Sequence, residues 1–480
     1  MLTNDPKNRF SRLSLLVGVA GVVVGIGAGF VVGIQPLLPI ALLVVVAAVV
    51  FFFSSFEQAV FGLLIVRSSL DIFLAQQIPA AHGMAINALT LLYALVMLLT
   101  RRPVQTDGFW WLFASWILLQ GLWVVLLPLG GLGFDSSFLM VGVREWIRRF
   151  SWLMVYLLIM QLKNRIHPEK LISLLLLSLI VPLTVALMQT LLPTALLPPL
   201  LARDMVDGRV SGTLGFPNTL GIYLSLLIGL VWWKLSLSQR RWPWILLLTL
   251  IAFVYVNTGY LTGLATLAII IIVVNASKIN PIQIIGAVIL CLLFLAFFAN
   301  TEIGQHRLGE LTRTPLLNPD IDLWRAILLA QGGDSSFNWR LAHWYFLVQS
   351  WKEAPIFGHG LSTGMYLSPL RSGDGGSYTP HSDYIRFLVE QGIVGLGLFL
   401  GFLGAQALYL VRIIWRAPRE SSEQLLCIIL LAVLLSTIVG MFTNNVLDCG
   451  AFFFYWWISF AVAGWGTQNF TSEPQSITSE

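Results

Sequence analysis

Ionisable side chains cluster at residues 381–390, where a polar segment runs into a long apolar one. Arg386 and Glu390 lie four positions apart, so a helix that begins near Asp383 places them on one face, where they can pair. Charged groups at the mouth of a membrane span are energetically costly and usually functional. His381 lies just ahead of this helix at its aqueous edge, where a histidine can accept a proton from a hydroxyl group at neutral pH. The segment therefore predicts general-base chemistry.

A second polar segment, residues 208–218, carries Arg209 among small residues and ends at Asn218. Small residues let the backbone approach an anionic ligand, and the planar guanidinium of arginine fits the oxygens of phosphate or carboxylate groups. Arg340 is a further arginine, within the long polar stretch 300–383. These residues predict anion binding. Two alternatives stay open, because Gly-Pro-Asn clusters are typical of ordinary turns and exposed arginines often pair with nearby acidic residues.

The composition indicates which elements hold these segments. Hydrophobic residues make up 57% of the chain and charged residues only 11%, and the mean hydropathy is +0.83. A soluble domain of this size cannot carry such a surface, so the bilayer is the solvent of this chain. A spanning chain must be helical or form a closed barrel, and the long apolar runs lack the period-two alternation of barrel strands. The sequence therefore predicts an all-α polytopic membrane protein.

Apolar runs near the ~20 residues that cross a bilayer predict about 12 to 14 transmembrane helices. The runs are 13–32, 37–53, 60–78, 85–99, 109–127, 146–160, 171–192, 214–233, 244–256, 260–274, 282–298, 384–413, 425–442 and 451–466. Loops rich in lysine and arginine alternate with the others, so these loops and the N-terminus are predicted to face the cytoplasm. Residues 300–383 then form one large extracytoplasmic loop, which contains a predicted amphipathic helix near residues 339–351.

The placement of the charges and cysteines argues against nucleic-acid binding and against a metal site. The net charge is +5, but the basic residues lie at span ends, where they set orientation, so no nucleic-acid partner is predicted. The cysteines at 291, 427 and 449 lie in or beside apolar runs without the paired spacing of metal ligands, so no metal site is predicted. The polar tail, residues 467–480, is predicted to be disordered and cytoplasmic.

Three motifs together resemble the O-antigen ligase and polymerase superfamily: an Arg-x-x-Gly-x-x-x-x-Pro-Asn segment, a Pro-x-x-Gly-x-Gly turn that follows an arginine, and a histidine with a small polar residue ahead of a Gly-x-x-Gly pair. The residues that carry them here are Arg209 and Asn218, Arg340, Gly358 and Gly360, and His381, Ser382, Gly392 and Gly395. The resemblance covers residues 209–413 by motif. One feature departs from it, because a turn that carries a Ser-Arg pair in many relatives reads Tyr-Leu-Thr-Gly here, at 260–263.

The resemblance implies a GT-C-like, metal-independent glycosyltransferase of the inner (cytoplasmic) membrane, without a cofactor. Such an enzyme transfers or polymerises an undecaprenyl-diphosphate-linked glycan on the extracytoplasmic face during O-antigen or exopolysaccharide biosynthesis, and its acceptor is a hydroxyl of a glycan, lipid or protein. His381 would be the catalytic base, and Arg209, Arg340 and Arg386 would bind the donor diphosphate. The other motif residues would support the site: Asn218, Gly358, Gly360, Ser382, Gly392 and Gly395.

The same resemblance implies a division of the chain into N-terminal transmembrane helices, residues 1–208, and an O-antigen ligase-like transmembrane domain, residues 209–466, which includes the loop 300–383. Two other function classes stay open. A transporter of bicarbonate or another solute would show broken helices in related halves and charges near mid-membrane. A non-catalytic component of polysaccharide assembly would tolerate loss of His381 and of the arginines.

Overall fold

The computed structural model describes residues 37–126, 138–202, 209–275, 318–331, 336–370 and 377–465, with six single positions between 296 and 315. The predicted span 13–32, the tail 467–480 and all of the predicted span 282–298 except Ala296 lie outside these residues. The chain divides into two compact units, Met1–Leu64 and Ile65–Glu480, and each is described by itself. The predicted boundary between residues 208 and 209 stays a prediction.

Every regular element of the described residues is a helix, as predicted. The α-helices are α1 (Leu37–Ser54), α2 (Phe56–Val66), α3 (Ile78–Leu99), α4 (Gly108–Leu126), α5 (Leu139–Met160), α6 (Pro168–Leu177), α7 (Ile180–Leu191), α8 (Pro199–Ala202), α9 (Pro217–Leu237), α10 (Trp242–Asn257), α11 (Leu261–Asn275), α12 (Leu323–Gln331), α13 (Ser336–Trp351), α14 (Asp383–Arg416), α15 (Ser422–Gly440) and α16 (Gly450–Ala463). Short 3-10 turns cover Arg67–Ser69, Asp71–Gln76, Thr194–Leu196, Gly364–Tyr366 and Val446–Asp448.

Six helical segments of the described chain are long and apolar enough to cross a membrane, namely Ile78–Leu99, Gly108–Val125, Pro168–Leu191, Pro217–Leu237, Asp383–Arg416 and Ser422–Gly440. A seventh is added if the bent pair Leu43–Ser54 and Phe56–Ser69 counts as one span. Three further apolar helices are shorter: Trp242–Asn257, Thr262–Asn275 and Gly450–Ala463. The chain is therefore a polytopic membrane protein, and the larger count of 12 to 14 spans stays a prediction.

The predicted span 60–78 is wrong as one continuous helix. α2 ends at Val66, and 3-10 turns follow as far as Gln76. Phe73 has non-helical angles (φ −102°, ψ 29°) and Gln77 is left-handed with a φ of 59°, so no continuous helix runs into α3. Within this segment the guanidinium of Arg67 binds the carboxylate of Asp71 at 2.6 Å. The helical part of this apolar run is therefore shorter than its hydropathy predicts.

The basic loops of the second unit meet at one end of its helices. The Gln161 side chain donates a hydrogen bond to the Gln105 carbonyl at 2.9 Å and accepts one from the Gln105 N–H at 3.1 Å. At the same end, the Trp233 indole donates to the Ser422 carbonyl at 2.8 Å. These contacts join segments that carry Arg101, Arg102, Lys163, Lys170, Arg240, Arg241, Arg416 and Arg419. The basic loops share one end, as the alternation of basic loops in the sequence predicts. The orientation of this end toward the cytoplasm stays a prediction.

The core of the second unit is built around α16. Every residue of this helix from Ala451 to Ala463 is buried, and it packs against α5, α9 and α15. Its sequence is apolar on all sides, which is typical of a helix surrounded by others. Aromatic rings fill the space beside it, as where Phe113 of α4 meets Trp457 with ring centroids 4.2 Å apart. The packing of α16 against α5, α9 and α15 therefore fixes the positions of the ends of these helices.

The predicted amphipathic helix near 339–351 is present as α13, Ser336–Trp351. It packs against α12 and against the start of α14. Its placement at a membrane surface, and the predicted extent of the loop 300–383, stay predictions.

Candidate functional site

The helix ends opposite the basic loops bring together segments that are far apart in the sequence. α14 begins at Asp383, two residues after His381, and the 3-10 turn Val446–Asp448 connects α15 to α16. Asp383 joins these segments, because its backbone N–H donates to the Met441 carbonyl at 3.0 Å and its Oδ2 accepts from the Leu447 N–H at 3.2 Å. The first turns of α5 lie at the same end, since their side chains bind those of α14.

Arg386 lies at the centre of an ionic cluster. Its guanidinium binds Glu390 through Nε at 3.2 Å, Asp448 through Nη1 at 2.7 Å and Glu145 through Nη2 at 3.4 Å. Arg148 binds two of the same carboxylates, Glu145 at 2.7 Å and Asp448 at 2.9 Å. The i,i+4 pairing of Arg386 with Glu390 is confirmed, and the other contacts link α5, α14 and the turn before α16.

Arg149 completes the cluster on its buried side. Its Nε binds Glu145 at 3.0 Å, another nitrogen donates to the Gln120 side chain, and its guanidinium lies 4.9 Å from the centre of the Phe387 ring. Each of these charges therefore has a partner of opposite sign or an aromatic face, which a buried ion requires. Removing any one member leaves an uncompensated charge in an apolar surrounding.

Asp448 is the carboxylate that the two arginines share at the outer edge of the cluster. Burial alone would raise the pKa of Asp448, but the guanidinium groups of Arg386 and Arg148 outweigh that effect and hold its pKa below the usual range. Asp448 is therefore ionised at neutral pH and accepts hydrogen bonds only.

A cavity of about 240 Å³ opens above the ionic cluster. It is lined by Glu145, Arg148, Ser362, Met365, Thr379, Pro380, Arg386, Glu390 and Asp448. The wall residues Thr379 and Pro380 directly precede His381 in the chain. The predicted base, His381, is therefore the next residue in the chain after these two wall residues.

His381 is held by an unusual backbone and by aromatic neighbours. Its φ of 53° lies in the left-handed region, which few residues other than glycine adopt. The Trp339 ring meets the imidazole edge to face at 5.3 Å, and the Trp344 indole donates to the carbonyl of the preceding Pro380 at 2.6 Å. α13, which carries both tryptophans, therefore fixes the position of the histidine.

The surroundings of His381 favour its neutral form. Burial, the positive charge of Arg340 and the neighbouring His343 together lower the pKa of His381 from its ordinary value of 6.5 to about 4. Asp448 opposes this change but does not outweigh it. At neutral pH the imidazole is uncharged, so one ring nitrogen can accept a proton.

Arg209 and Asn218 lie together, as their shared motif predicts. The Arg209 guanidinium donates to the Asn218 side chain at 3.4 Å, and the Asn218 amide donates to the Asn444 side chain at 3.1 Å. Asn444 also donates to the Tyr260 hydroxyl, at 3.4 Å. The motif segment is thereby connected to the turn 258–260, which precedes α11. The predicted turn 260–263, where the Ser-Arg pair of many relatives is absent, lies mostly within this helix, because α11 begins at Leu261.

The positive charge of Arg340 acts on both His381 and Tyr260. Its positive charge lowers the pKa of His381, and it also opposes the rise that burial imposes on the pKa of Tyr260. Arg340 therefore supplies positive charge next to the turn that lacks its own arginine. Of the three predicted phosphate-binding arginines, Arg340 lies near the base, Arg209 lies beside the turn, and Arg386 is surrounded by carboxylates.

The motif glycines form a brace between a turn and a broken helix. α14 is interrupted at Gly392, whose φ of 67° and ψ of −167° are not helical. The turn 355–360 occupies the break, because the N–H groups of His359 and Gly360 donate to the carbonyls of Val389 and Glu390 at 2.9 and 2.7 Å. The backbone groups that the break would otherwise leave without partners are thereby satisfied.

The brace is completed from the other side of the break. Ile393 and Val394 donate their N–H groups to the carbonyls of Pro355 and Ile356 at 3.0 and 3.2 Å. A Cβ atom added at Gly392 would lie 2.2 Å from the carbonyl oxygen of Ile356. Glycine is therefore required by close backbone contact. The structure gives the motif glycines a positioning role, since they hold the first turns of α14, which carry Arg386 and Glu390.

Sequence reasoning missed Glu145, Arg148 and Asp448. A signal for the first two exists, because residues 144–149 place four charges at the start of the apolar run 146–160, and charges at that depth are usually functional. Asp448 has no comparable local signal, since its partners lie more than sixty positions away in the sequence. Among the described residues, no group of three or more His, Cys, Asp or Glu side chains is arranged to hold a metal ion.

Comparison with known families agrees with the motifs. Residues 245–400 match the family model described as O-Antigen ligase. The matched range includes Arg340, the turn 355–360, His381 and Arg386, whereas Arg209 precedes it. No curated protein matches the chain. The range places this part of the chain in the O-antigen ligase and polymerase superfamily.

Proposed function

We propose that this chain, a member of the O-antigen ligase and polymerase superfamily through residues 245–400, is a membrane glycosyltransferase that uses an undecaprenyl-diphosphate-linked glycan. The enzyme resides in the inner membrane, and transfer takes place on its extracytoplasmic face, in O-antigen or exopolysaccharide assembly. The family match supports polysaccharide assembly in a membrane. The lipid carrier, the face and the membrane are part of the proposal.

The observation that carries the proposal is the position of a neutral, half-buried His381 within reach of Arg340 and beside a polar cavity. A neutral imidazole can take the proton of an acceptor hydroxyl as the hydroxyl oxygen attacks the anomeric carbon of the donor sugar. The bond from that carbon to the phosphate oxygen then breaks, and the diphosphate leaves with the electron pair. Arg340 and Arg209 stabilise the charge that develops on it.

Arg386 enters the proposal in a different way. Three carboxylates already surround its guanidinium. The prediction that it binds the diphosphate stays a prediction, and its contacts favour a role in shaping the cavity. Asn218 and the motif glycines support the site by holding Arg209 and the first turns of α14 in place.

The proposal is tested with protein in nanodiscs supplied with the undecaprenyl-diphosphate glycan of its own host. We expect turnover to fall by at least ~10²-fold in His381→Ala, because general-base catalysis typically contributes that much. His167→Ala, an exposed histidine at the basic end, is the matched control and should keep wild-type turnover. A His381→Ala variant with full activity would falsify the assignment of the base.

The products separate the possible reactions. Growth of the lipid-linked glycan would identify a polymerase, and transfer to an added acceptor would identify a ligase or a protein glycosylase. Added EDTA should leave the rate unchanged, since the proposed chemistry uses no metal. Donor binding without turnover would contradict the proposal and favour a non-catalytic component, and movement of bicarbonate or another solute across vesicles would favour a transporter.

A further inference from the structure

The cavity above the ionic cluster is poorly suited to the diphosphate, because its arginines are already paired with carboxylates. Its wall contains three carboxylates, those of Glu145, Glu390 and Asp448, and two guanidinium groups. Both guanidinium groups, Arg148 and Arg386, already bind these carboxylates at 2.7 to 3.4 Å. With Arg149 behind them, the three guanidinium groups balance the three carboxylates, so an anionic ligand would have to compete with a carboxylate for each arginine. The two arginines proposed to hold the diphosphate, at 209 and 340, do not line the cavity.

The cavity does suit a ligand that both donates and accepts hydrogen bonds. Arg148 and Asp448 keep about a third of their side chains exposed, 31% and 32%, so a donor and an acceptor are accessible at its edge. Ser362 and Thr379 lie in the wall as well. Sugar hydroxyls can donate to the carboxylates and accept from the guanidinium and hydroxyl groups. Met365 and Pro380 provide apolar contacts for the carbon atoms of a sugar ring.

A buried carboxylate, that of Glu390, forms part of the floor of the cavity. The Glu390 side chain is only 2% exposed, and its Oε1 binds Arg386 and the Gly364 N–H at 3.2 Å each. The backbone N–H of Ser362 also binds this carboxylate. These contacts hold the floor of the cavity in place, and the groups accessible to a ligand are those at its edge.

We propose that this cavity is a saccharide subsite that holds the acceptor sugar and presents one of its hydroxyl groups to His381. The inference rests on the proposed glycosyl transfer. The volume of about 240 Å³ exceeds by far what one water needs and leaves room for a sugar ring. Asp448 lines the cavity and its charge acts on His381, so a hydroxyl of the sugar at that edge of the cavity lies toward the base. The diphosphate, bound by Arg340 and Arg209, lies outside the cavity.

The test uses a substitution that fills the cavity without changing its charges. Met365 lines the cavity and is half-buried, so Met365→Trp places a larger side chain there. Met84→Trp is the matched control, since Met84 is 55% exposed on α3 and does not line the cavity. The probe is the free oligosaccharide released from the lipid-linked glycan of the host, and binding to protein in nanodiscs is followed by saturation-transfer NMR.

We expect the probe to bind wild type, Met84→Trp and His381→Ala, and to bind Met365→Trp at least about fivefold more weakly, as the loss of one or two hydrogen bonds would produce. In turnover assays Met365→Trp should raise the KM for the acceptor and leave the KM for the lipid-linked donor within about twofold. Equal binding by wild type and Met365→Trp would overturn the proposal, and so would displacement of the oligosaccharide by inorganic pyrophosphate.

Competition identifies which substrate supplies the saccharide. If the cavity holds the acceptor, lipid-linked donor and free oligosaccharide bind at the same time. Competition between the two would overturn the acceptor assignment and place the sugar of the donor in the cavity instead. Saccharide binding by wild-type protein that shows no turnover would contradict the glycosyltransferase proposal alone. If Met365→Trp changes neither the KM for the acceptor nor the KM for the donor, the result would contradict the subsite proposal alone.

Discussion

His381 and Arg386 are five positions apart and lie in opposite electrostatic surroundings. Burial and the positive charge of Arg340 keep His381 neutral. Three carboxylates within 3.4 Å surround Arg386 and stabilise its positive charge. Environments that separate the protonation states of neighbouring groups are typical of catalytic sites, because each group can then perform a different task. A neutral base beside a fixed cation is the arrangement that acceptor activation needs.

The protonation state of His381 can be measured directly. We expect its ring signals in a histidine-labelled sample to titrate with a midpoint of about 4, well below the ordinary value of 6.5. Added undecaprenyl diphosphate should raise that midpoint, because the negative charge of the lipid stabilises the imidazolium. The spectrum of His381→Ala assigns the signals. A midpoint near 6.5 without ligand would contradict the proposed environment.

The same difference in pKa links His381 to stability. The folded state has the lower pKa, so between about pH 6.5 and 4 the unfolded chain binds a proton that the folded protein does not. The contribution of His381 to stability is therefore present above this window and is lost as the pH falls through it. His343, whose pKa burial also lowers to about 4, acts in the same direction.

At the scale of elements, the broken helix α14 depends on the turn 355–360 as much as on its own sequence. Four backbone hydrogen bonds join the two, and they replace helical bonds that the break at Gly392 removes. The first turns of α14 carry Arg386 and Glu390, so the brace sets where the cavity floor lies. The turn 355–360 and the helix α14 therefore form one structural unit at Gly392.

Two glycines of α14 provide a matched test of the brace. Gly392→Ala should destabilise the protein by ~2–5 kcal/mol, because the new methyl group would lie 2.2 Å from a carbonyl oxygen and the positive φ is strained for alanine. Gly397 has no heavy atom within 4 Å of an added Cβ, so Gly397→Ala should be neutral or slightly stabilising. The measurement is unfolding in nanodiscs followed by tryptophan fluorescence. Equal stabilities for the two variants would show that the brace does not constrain position 392.

Local patterns in the sequence predict the parts of this site that are themselves local. The spacing of Arg386 and Glu390 predicts their ion pair, and the motif of Arg209 and Asn218 predicts their contact. The contact of Arg386 with Asp448 spans 62 positions and requires the packing of three helix ends. The break at Gly392 follows from the docking of a remote turn, which hydropathy does not report.

At the scale of the whole molecule, the described helices of the second unit have a basic end and a site end. Hydropathy predicts most of these helices, since apolar runs and helices coincide for α4, α9, α14 and α15 within a few residues, whereas α3 begins at Ile78, seven residues before its predicted run. It fails at 60–78, where α2 ends at Val66 and 3-10 turns follow. The positive-inside rule then predicts that the site end faces away from the cytoplasm.

Cysteine labelling of intact cells tests this orientation. In a background without the native cysteines, Glu353→Cys, exposed after α13, should react with a membrane-impermeant maleimide. Gln239→Cys, exposed in the basic loop after α9, should react only after the cells are made permeable. The background protein without cysteine is the control for nonspecific labelling. The reverse pattern would contradict the proposed face.

The brace at Gly392 also determines where two related proteins can be recombined. A chimera that exchanges residues 300–383 alone would separate the turn 355–360 from the helix that it evolved to fit, and four backbone hydrogen bonds would then join mismatched partners. A graft that extends to residue 395 transfers both halves of the contact together. Attempts to transplant the acceptor preference of one relative into another should therefore place the crossover inside α14, beyond Gly395.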